Sequence, residues 1–240
     1  LVSYLVNDMN QCQTKLMFVL ERILSVVAPH RCLICGGEGE VICAWCLPDL
    51  APPLPARCYR CRAQSENSLV CKKCRRDSRV KHVWVRTSYE GMAKQLIHDF
   101  KFERKQAAAE PLARLMAEAL PYLPPETIIT HVPTASSRAR QRGYDHAELL
   151  AKALARELSL PHIALLARTG QARQVGAKRA ERLDQLQDAF RFVNAPETRS
   201  APILLVDDLV TTGGTLEAAT TCLKQNGVKL VDAVVFAQKE

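Results

Sequence analysis

Aromatic residues are scarce in this chain of 240 residues, with Phe, Trp and Tyr together at 5%. Proteins that bind single-stranded nucleic acid stack bases on aromatic side chains. The scarcity therefore argues against a surface built mainly for stacking, and leaves Trp45, Tyr59 and Trp84 as the candidates. Long apolar runs are missing too, and nothing approaches the ~20 residues a membrane-spanning helix needs. The most apolar N-terminal stretch, Leu16 to Ala28, is interrupted by Glu21 and Arg22. It lacks a basic leader and a small-residue cleavage site, so it does not read as a signal peptide. A Gly-Lys-Ser/Thr sequence is also absent, which removes a P-loop. These absences lead us to expect a cytoplasmic protein with no integral membrane segment.

What is present suits a folded protein with an accessory module. Hydrophobic residues make up 48% and charged residues 24%, enough for one large core and more than a minimal domain needs. The net charge is +8 and unevenly spread: between Arg31 and His82 ten Lys or Arg face five Asp or Glu. Such a surplus attracts polyanions without conferring sequence specificity.

The ten cysteines carry more information. Eight form four CxxC pairs, Cys32/Cys35, Cys43/Cys46, Cys58/Cys61 and Cys71/Cys74, with Cys12 and Cys222 standing apart. A CxxC turn brings two thiolates to one metal, and two such turns complete a tetrahedral zinc site. We therefore expect two structural zinc ions. Consecutive pairing is the simplest arrangement, although interleaved and nested pairings also satisfy the spacing. From Arg31 to about Lys81 the larger apolar side chains are scattered, so burial alone cannot offset the chain entropy. Zinc would supply the missing folding free energy. The run Ala51-Pro52-Pro53-Leu54-Pro55 lies between the middle two pairs and reads as a stiff spacer.

Periodicity divides the chain into three. Residues 1–30 are expected to hold an amphipathic helix, with Leu16, Leu20, Ile23 and Val27 on one stripe and Pro29 as its stop. Residues 31–82 form the double zinc ribbon. Residues 83–240 alternate strand and helix. Strands are expected at Val83–Tyr89, Thr127–Val132, Ile163–Leu166, Ile203–Val206 and Leu230–Ala237. Helices are expected at Gly91–Phe100, residues 106–120, Ala147–Leu158 and about Thr215–Asn226. This alternation implies an α/β fold with a mostly parallel sheet flanked by helices.

The segment Ile203 to Leu216, ILLVDDLVTTGGTL, is the most informative. A buried strand delivers Asp207 and Asp208 to the carboxyl edge of the sheet, where ligands bind in open α/β folds. Thr211, Thr212, Gly213, Gly214 and Thr215 then form a turn that opens a helix. Small residues there let backbone N–H groups surround a phosphate, and the hydroxyls add donors. The acids suit sugar hydroxyls a few ångströms away. Two carboxylates beside a phosphate cradle describe a ribose 5-phosphate site.

This segment resembles the phosphoribosyl pyrophosphate (PRPP) signature of type I phosphoribosyltransferases. Leu96 to Phe102 (LIHDFKF), His131 to Arg138 (HVPTASSR) and Arg140 to Leu150 (RQRGYDHAELL) look like the ComF family, which includes the GntX proteins. This family consists of competence-associated, phosphoribosyltransferase-like proteins with an N-terminal double zinc ribbon. Arg173 to Arg182 and Ala189 to Phe192 resemble its mobile loop region. The chain departs from the family in having Gly143-Tyr144-Asp145-His146 where Gly-Phe-Asn-Gln is usual, and Gln174-Val175-Gly176 where Gln-Thr-Gly is usual.

The resemblance implies a type I phosphoribosyltransferase fold that binds PRPP with Mg²⁺ and transfers its phosphoribosyl group to an acceptor. Asp207, Asp208 and Lys101 would form the catalytic set. Thr211 to Thr215, Arg138 and Arg142 would hold phosphate, helped by Arg140. The cationic loop with Arg173, Lys178, Arg179 and Arg182 would close over the diphosphate. His98, His131 and His146 are read as structural. Competence is implied by the resemblance alone, and with it single-stranded DNA and proteins of the competence machinery as partners. Two further functions fit the same fold: handling of single-stranded DNA, and PRPP sensing without turnover.

Overall fold

The computed structural model describes residues 30–103, 105–134, 140, 143–169, 189–193 and 200–239. The expected N-terminal helix, Arg138, Arg142 and the basic loop of residues 173–182 lie outside the described residues. The chain divides into two compact units, Leu1–Leu47 and Pro48–Glu240.

The described part of the first unit is a zinc-ribbon knuckle. Strands β1 (His30–Arg31) and β2 (Glu38–Gly39) pair antiparallel, and Gly36 and Gly39 supply the positive φ angles of +74° and +122° that the turn requires. Cys32, Cys35, Cys43 and Cys46 converge there, and Cys58, Cys61, Cys71 and Cys74 converge in the second unit. The sulfurs of each group lie within 4.8 Å of one another. Pairing is thus consecutive. Cys35 Sγ lies 3.7 Å from Cys43 Sγ, and Cys61 Sγ lies 3.5 Å from Cys71 Sγ. Tetrahedral Zn–S bonds of ~2.3 Å place sulfurs about 3.8 Å apart, so both donor sets fit zinc. Burial opposes ionisation of Cys32, but the backbone N–H groups of Cys35, Cys43 and Ile34 outweigh it and bring its thiol down to about 6.

The second unit is built on a four-stranded parallel sheet. Its strands are β3 (Val83–Ser88), β4 (Ile128–His131), β7 (Ile203–Val210) and β8 (Val231–Gln238), in the order β3-β8-β7-β4. A parallel bridge from Ile129 to His162 continues the sheet beyond β4. The central strands read as unbroken apolar runs because both faces are covered. One face, carrying Ile203, Leu205, Val231, Ala233 and Val235, packs with Leu216, Ala219, Cys222 and Leu223 of a helix and with Tyr59, Val70 and Val80 of the second ribbon. The alternate residues Leu204, Val206, Val234 and Phe236 are also buried and face the opposite side.

Among the described residues, four helices flank the sheet: α1 (Gly91–Phe102), α2 (Ala109–Ala117), α3 (His146–Leu158) and α4 (Gly214–Gln225). Helix α2 packs against α3, and α3 packs against β4 and β7, while α4 packs against β7 and β8. Among the boundaries that differ from expectation, two bear on the strands around the site. Strand β7 runs four residues past Val206, because its backbone stays in register with β8 through Asp207↔Val235 and Val210↔Gln238. The ladder overrides the low strand preference of aspartate. The expected strand at Ile163–Leu166 splits. His162 and Ile163 join the sheet edge, whereas β5 (Leu166–Arg168) pairs antiparallel with β6 (Phe190–Phe192).

The Pro-rich run, read as a stiff spacer, is held against the larger unit: Leu50 and Ala51 are buried and Leu54 N donates to Arg86 O at 3.1 Å. The second cysteine cluster therefore shares a compact unit with the sheet, and loss of its metal should be felt there. We expect two zinc ions per chain by metal analysis. Cys35→Ser should remove one ion and leave the thermal transition of the larger unit in place. Cys61→Ser should remove the other and lower that transition. A wild-type chain that holds no zinc, or equal effects of the two substitutions, would contradict this.

Candidate functional site

The carboxyl ends of β4 and β7 and the last turn of α1 open onto one cleft of about 180 Å³. Lys101, Val132, Pro133, Thr134, His146, Arg168, Asp207, Asp208, Leu209 and Thr215 line it. A two-residue period sends the neighbouring acids of β7 to opposite faces, and they differ accordingly. Asp208 is buried, forms an ion pair with Lys101 Nζ through Oδ2 and is hydrogen-bonded through Oδ1 to His146 Nε2 at 3.1 Å. Burial alone would raise its pKa, but Lys101 and then His146 outweigh that and hold the carboxyl well below the usual range. Asp207 is only half-buried and accepts the Asp208 N–H at 2.9 Å. Burial, and then the adjacent Asp208 carboxylate, push it well above its ordinary value.

Lys101 and His146 are placed by a local chain of contacts. Tyr144 donates its hydroxyl hydrogen bond to the Phe100 carbonyl and lies beside the Phe100 ring, tying the end of α1 to the start of α3. Asp145 caps α3 by accepting from Ala147 N at 3.0 Å, and also accepts from Thr134 N at 2.7 Å and Thr134 Oγ1 at 2.9 Å. Thr134 Oγ1 in turn lies 3.2 Å from His146 Nδ1. One carboxylate thus positions a loop residue, a helix start and the histidine that touches Asp208.

The turn after β7 has the form expected of a phosphate cradle. Gly213 caps α4 with φ at +79°, a conformation that favours glycine. The first N–H groups of α4 have no intrahelical acceptor, and the helix dipole there favours an anion. Thr211 and Thr212 are exposed, whereas Thr215 is half-buried on the cleft wall.

The expected site residues therefore separate. Asp207, Asp208, Lys101 and Thr215 meet at the cleft, and Thr211 to Gly214 complete the adjoining turn. Arg140 is exposed. Of the histidines, His98 is exposed beside Phe102, and His131 stacks on His162 at 5.4 Å between ring centroids. Burial lowers His131 and takes His162 to about 4, so both are neutral at pH 7. His146 differs from them, being bonded to Asp208 in the site itself. Tyr59 and Trp84 are buried, at 2% and 5% exposure, so neither is available to stack a base, whereas Trp45 is 90% exposed. Sequence reasoning did not find Arg168, whose guanidinium lies 5.3 Å from the Phe190 ring centroid, nor the role of Asp145.

A parallel sheet with two acids on a central strand, followed by a glycine-threonine turn that opens a helix, defines a type I phosphoribosyltransferase-like protein. A model of the phosphoribosyl transferase domain matches residues 145–240. The chain is 26% identical over 220 residues to competence protein ComFC of Bacillus subtilis, covering 82% of this chain and 89% of that one. It is 34% identical to competence protein F of Haemophilus influenzae, over 56% of this chain and 62% of that protein. It is 32% identical to DNA utilization protein YhgH of Salmonella typhi, over 57% and 63%. The chain thus spans less than two thirds of the last two. Among solved structures, that of the allosteric regulatory enzyme of purine biosynthesis is similar with a TM-score of 0.37 and 17% identity, over 54% of this chain and 25% of that one. The chain is similar to these competence and DNA utilization proteins, and two four-cysteine clusters precede or enter its phosphoribosyltransferase-like body.

The opposed shifts of the two acids carry a stability consequence. A carboxyl whose folded pKa is raised costs nothing below its unfolded value of ~3.9 and destabilises increasingly as pH rises above it. Asp207→Asn should therefore raise the melting temperature at pH 7, by about 2–4 °C for each kcal/mol relieved, with the gain fading towards pH 4. Asp208→Asn should lower it at neutral pH, because Lys101 and His146 lose their carboxylate. Calorimetric melts of both variants from pH 4 to 8 check the signs.

Proposed function

We propose that the cleft binds the ribose 5-phosphate portion of PRPP and that the protein transfers this phosphoribosyl group to an acceptor. The observation that carries the reading is the meeting of Asp207, Asp208 and Lys101 at one sheet edge, beside a turn of unpaired helix N–H groups. The 5-phosphate would sit on the turn from Thr211 to Thr215. Asp207, whose oxygens are less engaged than those of Asp208, would take the ribose hydroxyls.

In the transfer, the bond from C1 to pyrophosphate breaks, a bond from C1 to the acceptor forms, and pyrophosphate leaves. Negative charge grows on the leaving group, and fixed cations aimed at developing charge are a large catalytic term. Lys101, held at the cleft by Asp208 and by the Tyr144–Phe100 contact, is the described cation best placed for that role. Arg168 on the same wall is a second. Mg²⁺, when bound with the diphosphate, would offset part of this charge, and Asp207 is the carboxylate with capacity to help hold it.

Calorimetric titration of the zinc-loaded chain with PRPP, with and without Mg²⁺, tests the proposal. Binding should depend on Mg²⁺, disappear in Asp207→Asn/Asp208→Asn, and weaken about tenfold or more in Lys101→Ala, the equivalent of ~1.4 kcal/mol. Absence of PRPP binding by the folded wild type would remove both the transfer and the sensing readings. Tight binding without product in an acceptor screen would favour sensing.

One observation favours a second reading, contact with single-stranded DNA. A cleft of about 260 Å³ is lined by Arg75, Arg79, Lys81, Lys224 and Lys229, and the acid on its wall, Asp232, pairs with His82. Three of the relatives are named for DNA utilization. If this cleft holds a phosphodiester backbone, anisotropy with a labelled oligonucleotide should show salt-sensitive binding that falls in Arg75→Glu/Arg79→Glu and survives Asp207→Asn. Unchanged binding in the first variant would reject it.

A further inference from the structure

The second zinc ribbon would ordinarily be read as a staple, but one of its side chains reaches the phosphate turn. Tyr59 occupies the middle of the Cys58-x-x-Cys61 turn and is buried, with 2% of its surface exposed. Its ring lies directly against Gly213. A Cβ built on that glycine would meet Tyr59 Cε2 at 2.3 Å and Cδ2 and Cζ at 3.2 Å. The closeness is not incidental, because the same knuckle is fixed to the strand ends that launch the turn. Gln238 Nε2 donates to the Tyr59 carbonyl at 2.6 Å, and Arg62 Nη2 donates to the Lys239 carbonyl at 3.0 Å. Gln238 pairs with Val210, the last residue of β7, and Lys239 N donates to the Val210 carbonyl at 2.9 Å.

The ribbon also controls the charge beside the turn. Glu217, in the first turn of α4, gives its N–H to the Gly213 carbonyl at 2.9 Å. Left free, its carboxylate would stand one helical turn from an incoming phosphate and repel it. Instead Tyr59 donates its hydroxyl to Glu217 Oε1, Arg79 N donates to Oε2 at 2.7 Å, and Arg60 Nη1 lies 3.6 Å away. The ribbon thus fixes the backbone of the turn with a ring and ties up the nearby acid with a hydroxyl, an N–H and a guanidinium.

We infer that Tyr59 is a positioning residue for the phosphate-binding turn, so that the second zinc ribbon sets the affinity of the cleft for a 5-phosphate group. The inference rests on the ribose 5-phosphate reading above. The ring determines where the N–H groups at the start of α4 point, and the hydroxyl keeps the Glu217 carboxylate turned towards the ribbon. Tyr59 itself touches no part of the ligand.

The test uses the full zinc-loaded chain and two probes, ribose 5-phosphate, which needs the turn, and inorganic pyrophosphate, which needs the cations around Lys101. Zinc content and melting temperature are recorded for every variant. Tyr59→Leu should weaken ribose 5-phosphate about tenfold and leave pyrophosphate within about twofold, and Tyr59→Phe, which keeps the ring, should recover most of the affinity. A cycle with Gly213→Ala adds a second readout. The added methyl meets the ring, so its cost should be smaller in the Tyr59→Leu background, a non-additive result. Equal weakening of both probes would mark a merely structural role and overturn the inference. So would unchanged ribose 5-phosphate binding by Tyr59→Phe and Tyr59→Leu alike, or strict additivity in the cycle. Failure of the wild type to bind ribose 5-phosphate would instead overturn the reading of the site.

Discussion

A carboxylate removed from water at the mouth of a parallel sheet costs several kcal/mol unless charged partners reach it, and the surroundings of Asp208 answer that requirement. Lys101 arrives from the end of α1 and His146 from the start of α3, so two helices must end and begin at one point. That constraint explains contacts which would otherwise look unrelated. Tyr144 holds the α1 terminus by its Phe100 carbonyl, and Asp145 caps α3 while holding Thr134. With Lys101 and His146 both committed to Asp208, Asp207 is left beside a like charge and partly desolvated. Burial and the neighbouring carboxylate both oppose its ionisation, a combination that is common where a group serves a ligand rather than stability.

The two cysteine clusters have the same donor set and different structural weight. The described part of the first unit buries little beyond Cys32 and Ile42, so a metal would have to supply its folding free energy. The second cluster sits against the core: Cys58 and Tyr59 are buried with Val70 and Val80 among residues of β7, β8 and α4, and Cys71 and Cys74 pack beside them. There a metal would fix a knuckle that serves as a wall of the larger unit. The same CxxC turn, repeated, acts as a self-contained staple in one place and as part of the site's support in the other.

Much of this was legible in the chain. Eight cysteines at CxxC spacing implied two metal sites because chelation is local, and the alternation of apolar runs with helical stripes implied a parallel sheet because both faces of its strands must be covered. The turn after β7 and the helix it opens were legible because small residues after a buried strand mark a chain reversal. The pairing of the cysteine turns was not legible, since spacing alone permits three arrangements and only the folded positions of Cys43 and Cys71 decide. The full length of β7 was missed because Asp207 and Asp208 look like a strand end, whereas the ladder with β8 carries the backbone through them. The contact of Tyr59 with Gly213 joins residues 154 positions apart. No local pattern encodes such a pairing, and a tyrosine between two cysteines is an ordinary knuckle residue until something is seen packed against it.

Helix α4 ranks the two proposed anion sites. Its N-terminus carries the turn at Gly213, where unpaired N–H groups and the positive end of the helix dipole both favour a phosphate by about 0.3–1 kcal/mol near the surface. Its C-terminus borders the basic cleft through Lys224, and there the dipole is negative and works against an anion. Lys224 is therefore partly explained as a cation at a helix end, independent of any ligand. The basic cleft must draw its anion affinity from Arg75, Arg79 and Lys81 of the ribbon and from Lys229, against the field of the helix. At the other end the backbone, the dipole and Lys101 act together. That difference in sign, within one element, is why the ribose 5-phosphate reading stands ahead of the nucleic-acid reading on physical grounds, and why Tyr59, which fixes the favourable end, matters more to the site than the larger number of cations at the other.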